Sequence, residues 1–129
     1  FDFSGNESIF MSDILITDWS NIAFEFAFCT LRPCIFVNTP MKVLNPNYMQ
    51  YGLDVPLINL RSQIGVSIEM VDITQISEVV ERMLGEKEGY RDRIGQLVRE
   101  YVYHPGRSGE AGGKYIISRL RQKNAGGTQ

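Results

Sequence analysis

An α/β domain built on a parallel sheet flanked by helices is the fold class this sequence predicts, and three observations carry it. Two short, unbroken apolar runs, Ile14-Leu15-Ile16-Thr17 and Cys34-Ile35-Phe36-Val37, have the length and β-favouring composition of strands buried on both faces of a parallel sheet. Between them, Asn21 to Thr30 holds no Pro or Gly and is apolar nearly all round, as befits a helix packed deep against a sheet. The third is their order: strand, helix and strand in about two dozen residues make a right-handed crossover unit with parallel strands. At 129 residues and 43% hydrophobic content the chain suffices for one ordinary core, so a single domain is expected over residues 1–124, with a flexible tail at 125–129.

The elements follow in order. Arg32-Pro33 stops the first helix, because Pro cannot continue it. Asn38 to Pro56 contains three prolines and one glycine among several Asn and Tyr residues, which reads as a long irregular loop at the carboxyl end of the second strand. Leu57-Ile58-Asn59-Leu60 and Val66-Ser67-Ile68-Glu69 are each a strand or a short turn, since periodicity does not decide between these in such short runs. Apolar residues at 76, 79, 80, 83 and 84 predict an amphipathic helix from Thr74, as N-cap, to Leu84, with Gly85 as its stop. A further helix is expected over Lys87 to Val102, although Gly89 and Gly95 oppose it. A closing helix is expected over Ser108 to Lys123, with Ser108 as N-cap.

Charge narrows the partners. Thirteen basic against 15 acidic residues give a net charge of -2, too balanced to hold a phosphate polymer or an anionic membrane by a broad positive field, so nucleic acid is not expected as a partner. The longest apolar stretch, Ile22 to Leu31, is interrupted by Glu25 and falls well short of the roughly 20 residues that span a bilayer. Cys29 and Cys34 are read as reduced, buried thiols, which fits a cytosolic setting. With one histidine and two separated cysteines, no metal site is expected. The chain opens on Phe1 without a basic-then-apolar leader, so it is expected to be a piece of a longer protein.

Two segments carry chemistry. Thr17-Asp18-Trp19-Ser20-Asn21 lies at the carboxyl edge of a strand and opens a helix, where open α/β sheets place their ligands. Unpaired N–H groups and the positive end of the helix dipole favour a phosphate there, and Ser20 and Asn21 add hydrogen bonds. The same atoms also serve a plain helix cap, and both readings stay open. Asp18 would repel a phosphate, so its expected part is to orient the turn. Glu25 reaches a ligand hydroxyl, pairs with a basic residue such as Arg107 or Lys42, or faces solvent.

The second segment, His104 to Gly113, is a Gly-rich entry to the last helix. Arg107 can grip a phosphate with two donors, and Gly106 and Gly109 allow close backbone approach, but the same pattern also makes an ordinary turn. His104 is a candidate general acid or base with no partner in the sequence. Lys42, Asn45, Asn47 and Tyr48 are polar loop residues that line a cleft or are simply solvated.

The run from Ser12-Asp13-Ile14-Leu15-Ile16-Thr17-Asp18-Trp19-Ser20-Asn21 through Phe24-Glu25-Phe26-Ala27, followed by Arg32-Pro33-Cys34-Ile35-Phe36, resembles the CDP-glycerol glycerophosphotransferases, which include the teichoic acid polymerases and primases. Trp19, Asn21, Glu25 and Arg32 are departures of similar chemistry. Gly106-Arg107-Ser108-Gly109-Glu110 is similar to that family's entry to its final helix. The resemblance implies a GT-B architecture of two Rossmann-like halves, this chain being most of the C-terminal, donor-binding half. It further implies that Thr17, Asp18, Ser20 and Asn21, with Arg107, Ser108 and Gly109, hold the donor phosphates. Glu25, Glu110 and Lys42 would then stand at the donor hydroxyls or behind the phosphate ligands. The family's catalytic histidines lie in upstream motifs that His104-Pro105 does not match, so this chain alone is expected to bind donor without turning it over. The implied substrate is a CDP-glycerol-type nucleotide with no cofactor, and the implied partner is an acceptor-binding half of the same protein. The implied location is the cytoplasm, with membrane contact at the inner face made only through the full-length protein. A nucleotide-sugar transferase and a non-catalytic interaction domain are the alternatives.

Overall fold

A computed structural model of the chain describes residues 6–40, 47, 50 and 56–125. It is a mixed α/β structure with a three-stranded parallel sheet flanked by helices, a Rossmann-like arrangement. Contacts divide the chain into two compact units, Phe1–Gln96 and Leu97–Gln129.

In the first unit a short helix α1 (Asn6–Met11) precedes β1 (Leu15–Thr17), α2 (Ile22–Thr30) and β2 (Cys34–Asn38). The strand, helix and strand expected from residues 14 to 37 are therefore present, and β1 runs parallel to β2 with Leu15 opposite Cys34 and Thr17 opposite Phe36. β1 is not buried on both faces, however. Strand order is β1-β2-β3, which leaves β1 at an edge with Ile16 49% exposed. β2 is the central strand, and Cys34, Ile35 and Phe36 are buried there as a continuous apolar run requires.

α2 buries Ala23, Phe26 and Ala27, while Glu25 and Cys29 are exposed, so only one of the two thiols is buried. Leu31 ends the helix at φ 57°, its N–H bonding back to Ala27 O at 2.8 Å, a left-handed cap ahead of Pro33. Arg32 then donates to Phe10 O at 3.1 Å and Ser12 O at 2.8 Å, tying the end of α1 to the start of β2.

The segment 57–60 is neither strand nor turn but part of helix α3 (Pro56–Ile64), which buries Leu60, Arg61 and Ile64. The run at 66–69 belongs to β3 (Gly65–Glu69), parallel to β2 with Gly65 opposite Cys34 and Asn38 opposite Glu69. A 3-10 stretch over Met70–Gln75 follows, so Thr74 lies inside it and is not the N-cap of α4 (Ile76–Gly85). Gln75 occupies that position with no side-chain cap hydrogen bond. Ile68 of β3, Met83 of α4, and Tyr90 and Ile94 of α5 (Lys87–Tyr101) are also buried in this unit.

α5 runs across the division between the units, and the second unit then holds α6 (Ser108–Ala125). Ala125 closes that helix instead of opening a tail; the rest of the expected tail, 126–129, lies outside the described residues. Tyr115, Ile116, Ile117 and Leu120 of α6 are all exposed.

Candidate functional site

The turn from Thr17 to Asn21 stands at the carboxyl ends of β1 and β2, the end of a parallel sheet at which ligands gather. Thr17 closes β1 opposite Phe36, and Asp18, Ser20 and Asn21 are exposed. Asn21 holds the N-cap position of α2 in a helical conformation (φ −67°, ψ −16°) without a side-chain cap. Ser20 Oγ accepts from Ile22 N–H at a long 3.4 Å, a contact near the limit of a hydrogen bond. The N–H groups of Ala23 and Phe24 turn back to Ser20 O at 3.4 Å and Asn21 O at 3.0 Å, so among the described residues the donors of this turn left for an anion are those of Ser20 and Asn21.

One residue that sequence reasoning passed over dominates the ground beneath this turn. Arg61, from α3, is only 8% exposed. Its guanidinium carbon lies 4.0 Å from the ring centroid of Trp19 and 4.4 Å from that of Phe36, between the turn and the central strand. Phe36 and Asn38 are two apart on β2 and so share a face. Arg61 Nη2 accordingly donates to Asn38 Oδ1 at 3.1 Å, and Asn38 Nδ2 donates to Glu69 Oε1 at 2.6 Å across the β2–β3 pair. Trp19 is fastened over the guanidinium by its own Nε1–H, which donates to Thr39 O at 2.7 Å.

The electrostatics of Arg61 are unusual for a buried charge. Its Nε is buried and has no hydrogen-bond partner, and among the described residues no carboxylate forms an ion pair with it. Burial pulls its pKa below the usual guanidinium range, and Asp18 opposes that by favouring the charged form. The available signal in the sequence was a lone arginine after Leu57-Ile58-Asn59-Leu60, which taken as a strand or short turn gave no reason to bury it.

Glu25 is exposed and makes no ion pair among the described residues. Lys42, like Asn45 and Tyr48, lies outside the described residues. Asn47 is exposed and accepts at Oδ1 from Gln50 Nε2 at 3.3 Å.

In the second unit, His104 at φ 54° and Gly106 at φ 71° bend the chain into α6. Ser108 does not cap by accepting; its Oγ donates to Tyr103 O at 3.2 Å and His104 O at 3.0 Å. Arg107 Nε donates to Glu110 Oε2 at 3.0 Å, and Lys114 bonds the other oxygen of the same carboxylate. The hydrogen bond from Lys114, then that from Arg107, holds the Glu110 carboxyl below its usual range. His104, Arg107, Glu110 and Lys114 line one surface depression, so a cationic ledge exists there with a carboxylate at its centre. Gly109 has open space where a Cβ would stand, so no close backbone approach requires it.

The comparison with protein families bears on the first turn. Residues 2–48 match the family described as CDP-Glycerol:Poly(glycerophosphate) glycerophosphotransferase. The stretch takes in α1, β1, the turn, α2 and β2; the resemblance read at 12–27 and 32–36 falls inside it, and that read at 106–110 lies outside it. Comparison with curated proteins and with solved structures found no match. The glycerophosphotransferase match supports a transferase role of that general type. No helix among the described residues is long and apolar enough to cross a membrane.

Proposed function

We propose that this chain supplies the donor-binding part of a CDP-glycerol-type glycerophosphotransferase, the C-terminal half of a GT-B enzyme in cell-surface polymer synthesis. One observation carries the reading: the stretch that matches the glycerophosphotransferase family folds into a β1–turn–α2–β2 unit whose turn opens α2 at the carboxyl end of the sheet. The donor's diphosphate would sit on the N–H groups of Ser20 and Asn21, whose side chains add further contacts. The donor is a substrate, no cofactor is invoked, and the acceptor-binding half and the catalytic histidines belong to a part of the enzyme beyond these 129 residues. Work on a cytosolic nucleotide places this reading at the inner face of the membrane.

The test is an amide chemical-shift titration with CDP-glycerol, CMP and UDP-N-acetylglucosamine. Saturable shifts at residues 17–21 with the cytidine ligands alone are expected, and Ser20→Ala should weaken them about three- to tenfold, the value of one lost hydrogen bond. A preference for the uridine ligand would replace this reading by a nucleotide-sugar transferase. Silence from all three would leave residues 17–21 as a helix cap.

A further inference from the structure

We infer that Arg61 is the phosphate-gripping cation of the 17–21 turn and that Trp19 is its cover. The inference rests on the donor-binding reading and adds to it a specificity-determining residue outside the family-matched stretch. Three observations lead to it. Among the described residues the buried guanidinium forms no ion pair with a carboxylate, although a buried charge ordinarily demands one. Its Nε has no hydrogen-bond partner, while Nη2 is engaged by Asn38, so the fork is held in place with donor capacity left over. It is stacked directly against Trp19, in the turn that opens α2, which brings its charge to that turn.

The chemistry these share is that of a phosphate: backbone N–H groups at the turn and a planar guanidinium donor behind Trp19. Phe36 and Asn38 set the angle of the fork from β2, and Glu69 sets Asn38 in turn. Because Trp19 lies over the guanidinium and is latched by Nε1–H to Thr39 O, an entering phosphate must displace the indole, exchanging a cation–π contact for a charge-assisted one. Trp19 is the one tryptophan of the chain, so the exchange has its own optical signal.

The experiment is a titration of the full chain with inorganic pyrophosphate, read by Trp19 fluorescence and by the Arg61 Nε–H resonance. The expected result is that both signals move and saturate at the same concentration as the amides of residues 18–21. Movement of those amides with a stationary Arg61 Nε–H overturns the inference, and so does the absence of any change. In parallel, Arg61→Met should lower pyrophosphate affinity at least tenfold; equal affinity would overturn the proposal. If that variant fails to fold, the wild-type Nε–H titration decides by itself. The two readings fail separately. Pyrophosphate bound through Arg61 without preference for cytidine nucleotides would sink the donor assignment alone. Cytidine-selective binding unaffected by Arg61→Met would sink the role of Arg61 alone.

Discussion

Cys34 shows how one buried side chain ties the sheet to pH. Its Sγ points at Ala23 O at 3.4 Å in a wholly buried setting, and burial pushes its pKa up to about 12 from 9.0. A raised pKa means that the neutral thiol is what the fold accommodates, so the contribution is complete below pH 9.0 and is lost as pH rises toward 12. Burial also raises Tyr90, which acts in the same direction. Urea unfolding should therefore show stability falling by about 2 kcal/mol between about pH 8 and about pH 10.5, with Cys34→Ala removing most of that slope. Exposed Cys29 should be alkylated in the native protein while Cys34 reacts only on unfolding, as peptide mass mapping would show. At the same scale, Arg61→Ala removes two aromatic contacts and a hydrogen bond and should cost about 2–3 kcal/mol in denaturant unfolding.

Two glycines separate steric need from mere permission among the elements. A Cβ at Gly65 would land on the carbonyl oxygen of Cys34 and lie 2.8 Å from its carbon, both main-chain atoms that cannot step aside. Gly65→Ala should therefore push β3 off β2 and cost about 3 kcal/mol or more, seen as a lowered thermal midpoint. Gly89, inside α5, has open space where its Cβ would go. Gly89→Ala should instead stabilise by up to about 1 kcal/mol through helix propensity, and a loss of stability would show that α5 is not a continuous helix in solution. Sequence reading treated the α5 glycines as an argument against the helix; tertiary burial of Tyr90 and Ile94 outweighs their propensity cost.

For the molecule as a whole, burial is concentrated in the first unit, and its centre is β2, flanked on both sides by paired strands. α6 has no buried residue among those described from 108 to 123. Native-state hydrogen exchange should find the amides of β2 opening only with global unfolding and those of α6 exchanging through local fraying at much lower cost. Equal protection in the two would contradict this distribution of burial.

By itself the sequence determined the parallel α/β class, the β1–α2–β2 unit and the turn between Thr17 and Asn21, because each was written in a contiguous run whose composition permits one backbone course. The helices over 76–85, 87–101 and 108–125 were legible for the same reason, to within their caps. The edge position of β1, the helical state of 57–60 and the burial of Arg61 with its Nε unpaired were decided only by tertiary structure. Each depends on which residues far apart in the chain come to share a face, and no local pattern around Trp19, Phe36 or Arg61 records that the three would stack.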